Sequence, residues 1–372
     1  MRIHQIGSVL ASGDAVTNQI VEIDRRLARW GFASQIYGSE ISAAPIATAQ
    51  FDSAYLPFVD EPNDVLLYHY SAYCENHALF RRSRNRKVLI YHNITPAEYF
   101  RPYDHYYESL CDQGRRLLPE LRSCDRAVGV SEYNRLELVQ QGFAADRTSV
   151  LPLFLGVEDF ALTPPDAGFL RRLKAGNTSN ILFVGRVAPN KAFEDLIKVF
   201  SSYHRHVNPN SRLLIAGARF LPSYDRALDE LVTRLALTDV VTFTGRISLR
   251  QLKTYYLAAD LFLCASRHEG FCVPLLEAMY FGVPILARAA AGVPYTLGEA
   301  GVQFHAVQFG VLAELMGVLV DDKAVREQII ATQKRRLDEF ASVRVEECLR
   351  GVLRSVGVDV PAPALERREI DG

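Results

Sequence analysis

The feature that most constrains this chain is a rhythm: short apolar runs alternate with longer stretches of helical period, in two blocks separated by one interruption. In the first block, residues 3–6, 35–37, 65–68, 88–92, 127–130 and 150–153 read as strands. A helix is expected over 16–30, stopped by Gly31, and Ser131 is placed to cap another. Residues 156–180 hold Pro164-Pro165, Gly168 and Gly176 and read as the crossing between two units. Strands resume at 181–184, 212–216, 240–243, 261–264 and 284–287, with helices at 192–205, 224–236, 248–258, 274–281 and 308–316. Such alternation predicts an α/β chain of two parallel, doubly wound sheets covered by helices. Ligands in such sheets bind beyond the carboxyl ends of the strands, so two facing sheets share a cleft.

Composition removes several classes of function. Lys and Arg number 42 against 43 Asp and Glu, a net charge of -1, which lacks the electrostatic footprint that holds nucleic-acid phosphates. No run of 18 apolar residues marks a membrane helix. The start, Met1-Arg2-Ile3-His4-Gln5-Ile6-Gly7, is strand-like and without an apolar signal core, so the expected location is the cytoplasm. Cys74, Cys111, Cys124, Cys264, Cys272 and Cys348 form no Cys-x-x-Cys pair, so neither a zinc site nor a disulfide framework is expected. The polar tail after Pro361 is expected to fray.

Chemistry concentrates in Ser266-Arg267-His268-Glu269-Gly270-Phe271-Cys272-Val273-Pro274-Leu275-Leu276-Glu277-Ala278-Met279, which follows the 261–264 run. Pro274 suits a first helical turn, where its missing N–H costs nothing. The N–H groups of Phe271, Cys272 and Val273 then stand free at a helix start, a seat for phosphate. Glu277, in the first turn, and Glu269, on the loop before, can accept hydrogen bonds from hydroxyls. Two carboxylates around an anion seat make sense for a ligand with both phosphates and hydroxyls, and a nucleotide sugar is one. Phe183-Val184-Gly185-Arg186-Val187-Ala188-Pro189-Asn190-Lys191 leaves the first strand of the second block. Arg186 and Lys191 are cations placed to stabilise a departing diphosphate.

The Glu269-x7-Glu277 spacing, the Glu-Gly-Phe core, the Gly-Arg…Lys loop and Phe243-Thr244-Gly245-Arg246 resemble retaining glycosyltransferases of family 4. Ala291-Gly292-Val293-Pro294 and Gly298-Glu299-Ala300-Gly301 resemble that family's downstream loops. The resemblance implies a GT-B fold: two doubly wound Rossmann-like domains facing a central cleft. The acceptor domain would cover 1–160 and the donor domain 161–340, with a last helix around 340–358 packing back on the first. It implies that Gly185, Arg186 and Lys191 bind the donor diphosphate. Glu269, Gly270, Phe271, Cys272 and Val273 would hold the transferred sugar and distal phosphate, Glu277 the ribose, and Gly245 and Arg246 the region of the base. His92, ending a strand, would contact the transferred sugar. His92, Arg186, Lys191 and Glu269 are thus the expected catalytic residues. Cys272 and Ala192 stand where the family often has Gly.

In the first block, Gly13 and its neighbours offer N–H groups toward the donor phosphates. Asn93, Tyr99 and Tyr103 are candidate acceptor residues, because flat rings stack on sugars. The acceptor implied is a glycan or lipid-linked saccharide of cell-surface polysaccharide synthesis, with GDP-mannose and UDP-sugars both open as donor. No cofactor and no metal is required by the sequence. The basic run Arg81-Arg82-Ser83-Arg84-Asn85-Arg86-Lys87 could touch the inner membrane peripherally, although residues 1–160 hold 16 Lys and Arg against 20 Asp and Glu. Three rivals stay open, the first a two-domain sugar-binding protein of the periplasmic kind, which would need a signal peptide. An inactive GT-B scaffold would lose Arg186, Lys191 or Glu277, and all three are present. A GT-B nucleotide-sugar epimerase would carry further carboxylates near the donor sugar.

Overall fold

The computed structural model describes residues 1–42, 46 and 48–361, so the polar tail lies outside the described residues. Among the described residues the strands form two wholly parallel sheets. The first contains β1 (Arg2–Leu10), β2 (Ala33–Ile41), β3 (Gln50–Phe51), β4 (Val65–Tyr70), β5 (Arg86–Tyr91), β6 (Arg126–Gly129) and β7 (Thr148–Val150), in the order β3-β2-β1-β4-β5-β6-β7. The second contains β8 (Ser179–Val184), β9 (Ser211–Ala216), β10 (Val241–Gly245), β11 (Leu261–Cys264), β12 (Ile285–Arg288) and β13 (Val302–Phe304), in the order β10-β9-β8-β11-β12-β13. Both orders reverse direction once, between β1 and β4 and between β8 and β11, and a doubly wound sheet opens its crevice at that reversal. Helices on both faces explain the unbroken apolar strands: all six residues of β4 and all four of β11 are buried.

Local signals place the element starts. The Asp14 carboxylate accepts from Thr17 N and caps the helix Ala15–Arg29, and Ser131 caps Glu132–Gln140 by accepting from Asn134 N. Residues 156–180 are not a bare crossing. They contain the helices Val157–Leu162 and Ala167–Lys174, which already belong to the second unit. Lys253 Nζ donates to the carbonyls of Phe160 (2.7 Å) and Thr163 (2.9 Å), and Asp166 N donates to Thr254 Oγ1 (2.9 Å). The seventh strand ends at Val150, and the buried residues Leu151, Leu153, Phe154 and Leu155 lead across without pairing as a strand. Several elements have no counterpart in the sequence reading, among them β3, β13 and the helices His105–Leu117 and Lys323–Asp338.

The chain finally returns to the first unit. In the helix Ser342–Ser355, Glu346 lies 2.5 Å from Arg29 Nη2 and 3.1 Å from Arg26 Nε. Arg350 lies over the Trp30 ring at 4.2 Å, and Arg86 donates to the carbonyls of Val356 (3.0 Å) and Gly357 (2.8 Å).

Candidate active site

On the second sheet, three neighbouring strands end in glycines that meet. Gly185, after β8, has φ +148°, and Gly245, ending β10, has φ +69°. Gly217, after β9, bridges to Gly245, and a Cβ on it would lie 2.0 Å from Gly185 O, so nothing larger fits. Arg186 follows, exposed, with its guanidinium 4.8 Å from the Phe220 ring centroid. The turn Pro189–Lys191 then carries the chain into the helix Phe193–His206. Lys191 is mostly buried, and its Nζ sits 2.5 Å from Glu269 Oε1, which also accepts from Ser266 Oγ at 2.9 Å. Burial alone would pull this ammonium down, but the groups around it, Glu269 foremost, together outweigh it and hold Lys191 above its ordinary value. Asn190 ties the two loops together: its carbonyl accepts from Arg267 N (2.8 Å) and His268 N (3.2 Å), and its Nδ2 donates to His268 O (2.8 Å).

Glu277 lies in the helix Val273–Tyr280, which begins after Cys272 and has Pro274 in its first turn. Cys272 has φ 71° and ψ 67°, and Ala192 has φ 52° and ψ 51°. The two departures from the family pattern thus fall where the backbone is left-handed, the conformation a glycine adopts at no steric cost. The Phe271 ring turns inward against Phe340, 5.5 Å between centroids. The Tyr256 hydroxyl donates to Glu277 Oε2 at 2.6 Å, and burial pushes the Glu277 carboxyl up to about 7.

Across the cleft, β5 ends at Tyr91 and passes to His92 and Asn93. His92 is half-buried and stacks on His69, with 5.2 Å between centroids. Burial pushes its imidazole down to about 3. Asn93 has φ 76°, and its Nδ2 donates to Glu137 Oε2 (3.0 Å), a carboxylate that also meets Tyr91 OH (2.9 Å) and Arg115 Nη2 (2.5 Å). Its side chain is therefore engaged within the first unit. Gly270 packs on this turn: a Cβ there would lie 2.6 Å from Asn93 Cβ and 3.0 Å from His92 O. Ser131 Oγ closes the contact, donating to Gly270 O at 2.6 Å. Tyr99 faces His268 at 6.2 Å, and burial pushes the His268 ring down to about 4. Tyr103 packs its ring at a tilt against Tyr224 (4.8 Å between centroids), and its carbonyl accepts from Ser223 Oγ (2.7 Å), so it bridges the two units.

The fold thus brings Lys191, Glu269, Gly270, His92 and Asn93 together, with Cys272, Val273 and Glu277 on the adjoining helix. Arg186 and Arg246 are exposed at the strand ends, and Gly13 (φ 76°) is exposed in the turn after β1 with no atom within 4 Å of a Cβ placed on it. Of the basic run, Arg81 pairs with Glu120 (2.7 Å) and Arg84 with Asp60 (3.7 Å). No helix among the described residues is long and apolar enough to cross a membrane. Ser266, Tyr256 and Asn190 were not singled out by sequence, and Ser131 was read only as a cap.

Two doubly wound parallel sheets meeting at their carboxyl ends across a cleft define the GT-B architecture. The Anabaena protein HepE, solved in complex with UDP and glucose, superposes with a TM-score of 0.73 at 18% identity, covering 95% of this chain and 100% of that one. WaaG, a glycosyltransferase involved in lipopolysaccharide biosynthesis, gives 0.71 at 14%, covering 96% and 100%. Residues 171–336 match the family model of the glycosyl transferases group 1. It is similar to a GDP-mannose-dependent α-(1-6)-phosphatidylinositol monomannoside mannosyltransferase of Mycobacterium tuberculosis, 28% identical over 241 residues, covering 62% of this chain and 59% of that protein. It is also similar to the O-antigen chain mannosyltransferase B of Escherichia coli, 25% identical over 219 residues, covering 58% and 56%. These matches span less than two thirds of either relative's length.

Proposed function

We propose that this protein transfers a hexose from a nucleotide-diphosphate sugar to a glycan or lipid-linked saccharide, with retention of anomeric configuration. The observation that carries the reading is the Lys191–Glu269 pair, 2.5 Å apart, facing His92–Asn93 across the contact with Gly270. A cation meant for a leaving diphosphate, a carboxylate meant for hydroxyls and a neutral imidazole then surround one space. In the donor complex Lys191 and the exposed Arg186 neutralise the diphosphate as the glycosidic bond breaks. The transition state is oxocarbenium-like. The acceptor hydroxyl attacks from the face the diphosphate leaves, and a leaving-group oxygen takes its proton. No carboxylate attacks the sugar, unlike the retaining glycosidases, and no metal enters the scheme. Glu277 accepts from the ribose hydroxyls, the ends of β8 and β10 border the base, and the Tyr99 side of the first unit receives the acceptor.

GDP-mannose leads among the donors, because the M. tuberculosis relative is GDP-mannose-dependent and the E. coli one is a mannosyltransferase. UDP-glucose stands second, supported by the UDP and glucose in the HepE structure. A role in surface-polysaccharide synthesis is supported by the E. coli relative, an O-antigen chain mannosyltransferase, and we place that role in the cytoplasm. The basic run, two of whose five cations pair with acids, adds little support for membrane contact.

The test is a thermal-shift screen against UDP, GDP, ADP and their sugar conjugates, with Lys191→Ala and Glu277→Ala alongside. A ligand that binds only the native state raises the melting point. One nucleotide family should give a shift that both variants lose. The product's anomeric proton in NMR then reports retention or inversion. A folded sample that answers to no nucleotide overturns the reading.

A further inference from the structure

Three neighbouring strands carry a hydrogen-bonded chain of polar side chains that ends at the cleft. β1 lies beside β4 and β4 beside β5. Gln5 is in register with Leu67, and His69 with Ile90. Side chains alternate along a strand, so Gln5, His69 and His92 share one face of the sheet. They step toward its carboxyl edge. Gln5 and His69 are fully buried, at 0% and 1% exposure.

The proton positions follow from the partners. Gln5 Nε2 lies 3.1 Å from the carbonyl of Ile20. A main-chain carbonyl can only accept, so the amide nitrogen belongs on that side and Gln5 Oε1 faces His69 Nε2, at 3.1 Å. That oxygen accepts, so His69 carries its proton on Nε2. His69 Nδ1 is then a bare lone pair, and it lies 3.0 Å from His92 Nε2. His92 must donate from Nε2, which leaves its Nδ1 without a proton. Burial holds both rings neutral, His69 well below its ordinary value and His92 down to about 3, so neither carries a second proton at neutral pH. Among the described residues nothing hydrogen-bonds His92 Nδ1, and that atom is not one of the sealed, unpartnered ones. It opens toward the cleft.

We infer that Gln5 and His69 are positioning residues that lock His92 in the Nε2-protonated tautomer, so that His92 presents a hydrogen-bond acceptor to the ligand and takes a hydroxyl rather than a phosphate oxygen. The identity of the ligand rests on the nucleotide-sugar reading; the tautomer does not. A deprotonated phosphate oxygen has no hydrogen to offer a bare nitrogen, whereas a sugar hydroxyl does. The Glu269 carboxylate, on the loop that packs against His92, makes the same demand. The sugar ring therefore lies over His92 and Glu269, and the phosphates lie on the Arg186 and Lys191 side.

A long-range 1H–15N spectrum of 15N-histidine-labelled protein at pH 7 tests the lock, with His92 assigned by its loss in His92→Gln. The wild type should show the proton on Nε2 of both His69 and His92. Gln5→Leu frees His69 and His69→Phe frees His92, and each should convert His92 to a mixture of tautomers. A wild-type His92 protonated at Nδ1 overturns the lock, and this reading needs neither Gln5→Leu nor His69→Phe to fold. So does an unchanged tautomer in both folded variants. For the contact itself, UDP, GDP, UDP-glucose and GDP-mannose are titrated into wild type and His69→Phe. The affinity that the sugar adds over its bare nucleotide should fall about tenfold in the variant, the loss of one hydrogen bond. An undiminished sugar contribution overturns the hydroxyl contact. Failure of all four ligands to bind the wild type instead overturns the transferase reading, and leaves the tautomer to the spectrum.

Discussion

On the first sheet the chain of polar side chains leading to the cleft is neutral: an amide, Gln5, and two neutral imidazoles, His69 and His92, with the Glu137–Arg115 pair set behind Asn93. At the carboxyl edge of the second sheet stand ions: Lys191 with Glu269, and Asp195 with Arg267 (2.8 Å) and Arg288 (3.3 Å). The folds are alike, each a doubly wound sheet with one reversal, yet the chemistry is divided between them. Ions are costly to desolvate and neutral groups less so. The ions placed to meet a ligand are those of the second rim; the Glu137 carboxylate of the first is already taken up by Tyr91, Asn93 and Arg115. Charge that develops on a leaving group belongs on the second rim, and the first adds, at His92, an uncharged contact for a hydroxyl.

The comparison breaks most plainly at Lys191. Lys191→Ala leaves Glu269 short of its cation, and breaking a mostly buried pair costs about 3 kcal/mol of stability. With the diphosphate's cation gone, nucleotide release from a sugar donor should fall by roughly 10²–10³; an enzyme keeping more than a tenth of its turnover would place the charge chemistry elsewhere. Glu277 comes next. Its carboxyl titrates at about 7 in the folded protein against an ordinary 4.5. Between those values the unfolded chain releases this proton and the folded one keeps it. Stability therefore falls as pH rises through that window, by roughly 3 kcal/mol from this group, and levels off above 7. In Glu277→Gln that part of the melting-temperature slope should vanish, and a variant with the wild-type slope would show that another group is responsible.

Gly270→Ala tests how closely the rims must approach. The added Cβ would sit 2.6 Å from Asn93 Cβ, and relieving such overpacking costs about 1–3 kcal/mol. Turnover should drop about tenfold while bare-nucleotide binding, measured calorimetrically, stays near wild type; equal losses in both would mean that the glycine serves folding alone. The smallest effect is expected at Ala192→Gly. Relieving its left-handed backbone gains about 1–2 kcal/mol. Losing a buried methyl and adding glycine's chain entropy cost about as much. The melting temperature should move by no more than about 2 °C, and a larger rise would reveal strain stored at the donor loop.

The second rim was legible because its groups sit close in sequence and follow strand ends. Glu269 and Glu277 are eight residues apart on one loop and helix, and Lys191 follows β8 by seven. The first rim was legible only at His92. Nothing local marks Gln5 or His69, polar residues in apolar strands, as its partners. They become so through the pairing of β1 with β4 and β4 with β5, which no residue near them in sequence reveals. Asn93 and Tyr103 illustrate the reverse case. Their types suited a sugar site, but Glu137 takes the Asn93 amide and Tyr224 the Tyr103 ring, and neither partner is near in sequence. Helix Lys323–Asp338 escaped notice because it buries only Gln333 fully, leaving little apolar period to read. Strand β13 is three residues long and sits behind Gly301, too short to separate from a turn.

The return of the helix Ser342–Ser355 to the first unit also sets an order of birth. On a ribosome adding roughly 5–20 residues per second, that helix follows residue 160 by roughly 10–40 s. Until it arrives, Trp30 lacks the guanidinium that lies on it and Arg26 lacks the Glu346 carboxylate. The strands and loops of the second unit are contiguous and complete before then. The half that is translated first is finished last, and the nascent chain carries an open face across the whole synthesis of its partner domain.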